Sequence, residues 1–162
     1  MSEAPGERFE ISRAGPDDRE QILAVMRPAN MHHVPSPEMG ELELTRFFVA
    51  RVDGRIVGAG GYALLEDGHG KTTLLAVLPE FQGTGLGAAL QDTRLAEMHR
   101  HGVHTVTTNA DRPATIDWYR RRYGYRAVGR LRKLHDFGDP STDHWTTLEL
   151  DLGSHMRGNR RR

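Results

Sequence analysis

The chain contains no cysteine, which excludes disulfide scaffolds, thiolate zinc sites and any acyl-cysteine intermediate, and leaves the fold to stand on packing alone. It also lacks net charge, because 22 Lys and Arg balance 22 Asp and Glu. A neutral chain has no global field to attract a polyanion, so nucleic acid is not an expected partner. Long apolar runs are missing as well. The charge-free stretch Ile56–Leu65 falls far short of the ~18 residues that a membrane helix needs, so no membrane partner is expected. Glu3, Glu7 and Arg8 precede any apolar run, which is not the order of a secretory signal, and a cytoplasmic address is the expectation.

What is there is globular. Hydrophobic residues make up 37% and charged residues 27% of 162 residues, enough for one core and one domain. That domain is expected over residues 1–152. Beyond it Gly153-Ser154-His155-Met156 reads like a cloning-vector remnant, and the arginines that follow have no apolar partner, so 153–162 are expected to form a disordered or vector-derived tail.

Alternation at Phe9 and Ile11 predicts a first strand, and Pro16-Asp17-Asp18 suits the first turn of a helix carrying Ile22, Leu23 and Met26. Ser36-Pro37-Glu38 opens a second short helix through Leu44. Asp53-Gly54 between Phe47–Val52 and Arg55–Leu65 is a two-residue hairpin signal, since both residues accept positive φ. Lys71–Leu78 ends in an apolar run suited to a central strand. An amphipathic helix follows from Gly85 to His101, then a strand at Val103–Thr108, a helix capped by Asp111 with Pro113 in its first turn, and strands at Tyr125–Leu134 and Trp145–Leu152. The order predicts a mixed α/β domain of α+β type, with about seven mostly antiparallel strands and four helices.

Gln82-Gly83-Thr84-Gly85-Leu86-Gly87 lies between a buried strand and a helix start, where unpaired backbone N–H groups and the helix dipole favour an anion. Taken alone, Gly83-x-Gly85-x-x-Ala88 with Asp111 downstream also fits a dinucleotide fingerprint. The hairpins before it are unlike the parallel crossovers of that fold. A P-loop is excluded, because no Gly-Lys-Ser/Thr follows.

Leu75 to Gly87, with Trp118-Tyr119 and Gly124-Tyr125 downstream, resembles the acetyl-CoA loop and the aromatic segment of the GNAT superfamily of N-acetyltransferases. The resemblance implies a twisted, mostly antiparallel sheet and acetyl-CoA as acyl donor. It implies that Gln82, Gly83, Thr84, Gly85, Leu86 and Gly87 bind the pyrophosphate, and that Leu75, Ala76 and Val77 bind the pantetheine arm through their backbone. Tyr119 is the family-like general acid, with Tyr123 as alternate. A phenol, with an ordinary pKa of ~10, keeps its proton at neutral pH. Tyr119 stands one residue farther from Gly124 than in the family pattern, so the helix there is expected to bulge or start differently. Asn109 is also displaced and is not carried over.

No carboxylate stands where a base is needed, so water-relayed proton loss is the expectation. The acceptor, a small primary amine, is expected to meet His32, His33 and the connection before the last strand, including His144. His99, His101 and His104 straddle a helix end and should diverge, so no metal is expected. A homodimer is left open. The leading reading is an acetyl-CoA-dependent N-acetyltransferase working by direct attack in a ternary complex; the alternatives are a non-catalytic CoA-binding domain and a dinucleotide-binding domain.

Overall fold

Asp53 and Gly54 take positive φ, 51° and 80°, and close the predicted hairpin between β2 (Phe47–Val52) and β3 (Arg55–Leu64). The computed structural model describes residues 9–29, 42–134 and 138–160. Its other strands are β1 (Glu10–Arg13), β4 (His69–Val77), β5 (Thr105–Ala110), β6 (Arg126–Arg132) and β7 (His144–Asp151). They form one seven-stranded sheet in the order β1-β2-β3-β4-β5-β7-β6. Every pairing is antiparallel except β4 with β5. The helices are α1 (Arg19–Met26), α2 (Leu86–Arg100), α3 (Pro113–Trp118) and α4 (Leu152–Arg160). Among the described residues no helix is long and apolar enough to cross a membrane.

β3 is buried almost continuously from Ile56 to Tyr62, as a strand covered on both faces must be. α2 covers one face so closely that a Cβ on Gly58 would stand 2.7 Å from Leu86 Cδ2, and side chains are absent there because the helix occupies their space. α1 lies against the same strand and brings Ile22, Val25 and Met26 into the core. Gln21 Oε1 accepts from the Ile56 amide at 3.0 Å and pins that helix to the start of β3.

One expected element lies mostly outside the described residues, and one differs from expectation. The helix expected over 36–44 falls mostly outside the described residues, and Leu44–Arg46 is a single 3-10 turn. The stretch after residue 152, expected to stand apart as a disordered tail, continues as α4 up to Arg160, with Leu152 wholly buried and Met156 packed on the core. Leu152 docks because its amide donates to His104 O at 2.9 Å, a tertiary contact with no local sequence signature.

Candidate functional site

The parallel pairing of β4 and β5 is short. It joins His69, Gly70 and Lys71 to Thr105, Val106 and Thr107 and then stops, although both strands continue. The reason lies on the other side of β4. Its register with β3 shifts between Gly61 and Tyr62, whose partners are Leu74 and Thr72, so Thr73 is an unpaired bulge residue. A bulge bends and twists its strand, and beyond it β4 is no longer paired with β5, which leaves an opening in the sheet.

Alternation then decides which backbone groups face that opening. The Leu78 amide donates to Val57 O at 2.9 Å, so in an antiparallel ladder Ala76 with Ala59 is again a hydrogen-bonded pair, while Leu75 and Val77 turn their N–H and C=O groups the other way. Of the three predicted pantetheine residues, Leu75 and Val77 thus present backbone to the cleft. Ala76, the third of them, turns its backbone towards β3 in that register.

The glycine loop closes the end of this opening. Gly83 and Gly85 have φ of 78° and 86°, and nothing lies within 4 Å of a Cβ built on either. These glycines are required by backbone conformation, since side chains rarely adopt it. Gly85 is the N-cap of α2. The first bond back into the helix is from the Ala89 amide to Gly85 O, and the amides of residues 83–88 have no acceptor among the described residues. Side chains hold the loop in place: Gln82 Nε2 donates to Val77 O at 3.1 Å, and Thr84 Oγ1 to Phe81 O at 2.6 Å. Gln82 and Thr84 therefore shape the loop with their side chains. A row of unaccepted amides at the N-terminus of a fifteen-residue helix is an anion cradle.

The far wall is aromatic. Instead of ending at Trp118, α3 widens into a π-helical turn over Tyr119–Tyr123, and Gly124 stops it at φ 87°. A π turn takes up one additional residue within a helix, which accounts for the shifted spacing seen in the sequence. It places Tyr119 against Tyr125 at 5.0 Å and against Trp118 at 5.0 Å, with Tyr123 also against Trp118 at 5.2 Å. Both tyrosines are buried. The Tyr123 hydroxyl donates to Ala88 O at 3.4 Å, and burial pushes its pKa above the usual phenol range. The Tyr119 hydroxyl has no hydrogen-bond partner among the described residues.

The C-terminal ends of β4 and β5 and the start of β7 share one end of the sheet, because Ala110 pairs with Thr146. His144 is therefore at the open end, where Arg130 approaches its Nε2 at 2.6 Å. Asp111 does not cap α3; Arg112 holds that position without a side-chain cap bond. Asp111 instead accepts from Lys133 Nζ at 2.9 Å and from the Asp139 amide at 2.7 Å. The Lys133 ammonium also lies 4.8 Å from the centre of the Trp145 ring. This cluster fastens the turn before β7 to the end of β5. It also occupies the acid that a dinucleotide reading would need for a ribose. Asn109 Oδ1 accepts from Thr147 Oγ1 at 2.7 Å, a cross-strand bond within the sheet. His32 and His33 lie outside the described residues.

Two buried charged residues on α2 escape sequence reading. Glu97 accepts from Arg13, Arg100 and, at 3.2 Å, the Tyr62 hydroxyl. The Arg13 hydrogen bond, opposed by burial and helped by Arg100, holds its carboxyl down at about 2. Arg94 is fully buried and bonds only neutral oxygens. Its signal was its place four residues after Leu90 and eight after Leu86, inside the apolar stripe of the helix.

Comparison with known proteins agrees with this geometry. The chain is 34% identical over 116 residues to a mycothiol acetyltransferase of Streptomyces griseus subsp. griseus, a match that covers 61% of the chain but 37% of that protein. The fold superposes on N-acetylglutamate synthase from Neisseria gonorrhoeae, solved with coenzyme A and N-acetyl-glutamate, at a TM-score of 0.70 and 20% identity, covering 89% of this chain and 35% of that one. It superposes on Ard1 from Thermoplasma volcanium at a TM-score of 0.72 and 19% identity, over 88% of this chain and 96% of that one. The chain thus spans little more than a third of the first two proteins. The family-wide profile of the Acetyltransferase (GNAT) family matches residues 19–125, a span that holds the opening in the sheet, the glycine loop and the π turn, and the chain belongs to that family.

Proposed function

We propose that this chain transfers an acetyl group from acetyl-CoA to the primary amine of a small acceptor, by direct attack within a ternary complex. The observation that carries the reading is the one-sided pairing of β4 beside a loop of unaccepted amides. An extended amide-bearing arm fits the first and a pyrophosphate fits the second. Leu75 and Val77 would bind the pantetheine amides through their backbone, and the amides of Gly83 to Gly87 would hold the pyrophosphate. Acetyl-CoA supplies an acetyl group activated as a thioester.

The residues of the chain do the rest. With no cysteine to carry the acyl group, the amine nitrogen must form its bond to the acetyl carbon directly while the carbon–sulfur bond breaks. Tyr119, whose hydroxyl is uncommitted, gives its proton to the departing sulfur. The proton lost by the amine returns through water, since Glu97, the buried carboxylate of α2, is engaged by arginines. His144, at the open end, borders the acceptor.

The test is acetyl-CoA offered with a panel of amines, amino acids and aminoglycosides, reading thiol release and acetylated product. CoA should also raise the melting temperature, by the equivalent of ~2.7 kcal/mol at a hundredfold excess over its dissociation constant. Thiol release with no amine dependence would leave a CoA-binding domain, and a larger shift with NAD than with CoA would overturn the reading.

A further inference from the structure

Arg94 is 0% exposed, and no carboxylate among the described residues lies within ion-pairing distance of it. Burying an unpaired charge is expensive, and a residue that only filled this place in the apolar stripe of α2 would be leucine or methionine. What the guanidinium does bond is specific. Nη1 donates to Gly61 O at 3.0 Å and to Leu74 O at 2.5 Å, the carbonyls of the paired residues that adjoin the register shift at Thr73. Nη2 donates to Gln91 Oε1, and Gln91 Nε2 donates to the Tyr125 hydroxyl at 3.0 Å. Tyr125 in turn backs Tyr119, ring to ring at 5.0 Å.

The ladder is distorted at a bulge, and a buried carbonyl that loses its donor there costs about 1–3 kcal/mol. The planar guanidinium can reach several such acceptors at once, as an ammonium cannot. β3 makes room for it, since a Cβ on Gly60 would stand 3.2 Å from Arg94 Cδ. We propose that Arg94 is the positioning residue of the cleft: it stabilises the bulge that parts β4 from β5 and, through Gln91, ties the tyrosine wall to the same frame. The inference rests on the acetyl-CoA reading of the opening, and concerns the pantetheine edge rather than the pyrophosphate loop.

That distinction supplies the test. Wild type, Arg94→Met and Arg94→Lys are titrated calorimetrically with CoA and with 3′-phosphoadenosine 5′-diphosphate, which carries the pyrophosphate but no pantetheine arm. Hydrogen exchange is followed at residues 74–77 in the ligand-free proteins. Arg94→Met should lose roughly tenfold or more in CoA affinity, the fold-change that one lost backbone contact of about 1.4 kcal/mol gives, with affinity for the fragment kept within about twofold. Exchange at 74–77 should quicken. Arg94→Lys should recover part of the CoA affinity, because an ammonium can still serve one of the carbonyls.

A folded Arg94→Met that binds both ligands like wild type, or loses both in equal measure, overturns the inference and leaves Arg94 a core residue. Should Arg94→Met fail to fold, the lysine variant decides by the same criterion: selective loss of CoA supports the inference, and equal loss or none overturns it. Wild type that binds neither ligand overturns the acetyl-CoA reading and this inference with it.

Discussion

The two ends of β4 obey different rules. At its closed end His69–Lys71 are bonded to β3 or its turn on one side and to β5 on the other, and the last turns of α2 lie over them, with Met98 Sδ 2.8 Å from where a Cβ of Gly70 would be. The buried charge there, Glu97, is answered by two arginines. At its open end β4 is paired with a strand on one side only, the neighbouring loop amides have no acceptor among the described residues, and the buried charge, Arg94, is answered by carbonyl and amide oxygens. Polar groups inside proteins are nearly always paired. A region that leaves a row of backbone amides without acceptors has groups to offer a ligand, while a region that pairs its charges contributes stability.

The sharpest way to break that contrast is at the loop. Gly85→Val forces a branched side chain into positive φ, in space that is empty without ligand and would be filled by the pyrophosphate. The protein should still fold, because no atom lies within 4 Å of the new Cβ, while CoA affinity falls roughly 10²- to 10³-fold, the worth of one or two charge-assisted bonds. Calorimetry with circular dichroism checks both halves. An unchanged affinity would make the loop an ordinary turn.

Next in size is Tyr119→Phe, which keeps the ring contacts with Trp118 and Tyr125 and deletes only the hydroxyl. Turnover on an identified acceptor should drop on the order of 10²-fold, the range for a lost general acid, with CoA binding retained. Steady-state kinetics under conditions where chemistry limits the rate is the measurement. Near wild-type turnover would send the proton to the sulfur from water or acceptor instead.

The closed end responds in stability. Glu97→Gln removes the charge that Arg13 and Arg100 face and should cost about 2 kcal/mol, less than for a wholly enclosed pair because both arginines reach solvent. Near the melting point that is a fall of about 4–8 °C. The carboxyl stands at about 2 in the fold, against an ordinary 4.5. A lowered pKa contributes stability that is fully present above 4.5 and is lost as pH falls towards 2. Wild type should therefore lose stability over that window, and Glu97→Gln should show a shallower loss. Parallel pH profiles in denaturant titrations would show that Glu97 is not the group responsible.

Much of this architecture is written locally. The Asp53-Gly54 turn, the alternation of β2 and the glycine loop before α2 could be read from single residues and their neighbours, because turn chemistry and period act over a few positions. The π turn left a trace too, as one extra residue between Tyr119 and Gly124. What could not be read depends on contacts between distant segments. The bulge at Thr73 arises from pairing with β3, and nothing in Lys71-Thr72-Thr73-Leu74 announces it. Asp111 looked like a helix cap, yet Lys133 and the Asp139 amide compete for it. Ala76 looked like its neighbours, and only the register turned its backbone away from the cleft. The apolar partner of Met156 lies elsewhere in the core, so the residues after 152 looked like a tail.

The smallest expected effect decides between the two tyrosines. Tyr123 lies on the same π turn as Tyr119, and a turn with an extra residue could hand the role of acid from one to the other. The surroundings differ, however. The Tyr123 hydroxyl donates to Ala88 O and receives from Arg122 Nε, both at 3.4 Å, while its ring is held by Trp118, Tyr125 and His155. Bonds that long are near the limit of what counts as one and contribute little, so Tyr123→Phe should cost less than about 1 kcal/mol. Its proton already serves a helix carbonyl, so turnover should stay near that of wild type, and CoA affinity with it. The measurement is kcat for the two phenylalanine variants side by side on one acceptor. A large fall in Tyr123→Phe with Tyr119→Phe untouched would reverse the assignment, and would mean that the Ala88 contact opens when the ternary complex forms.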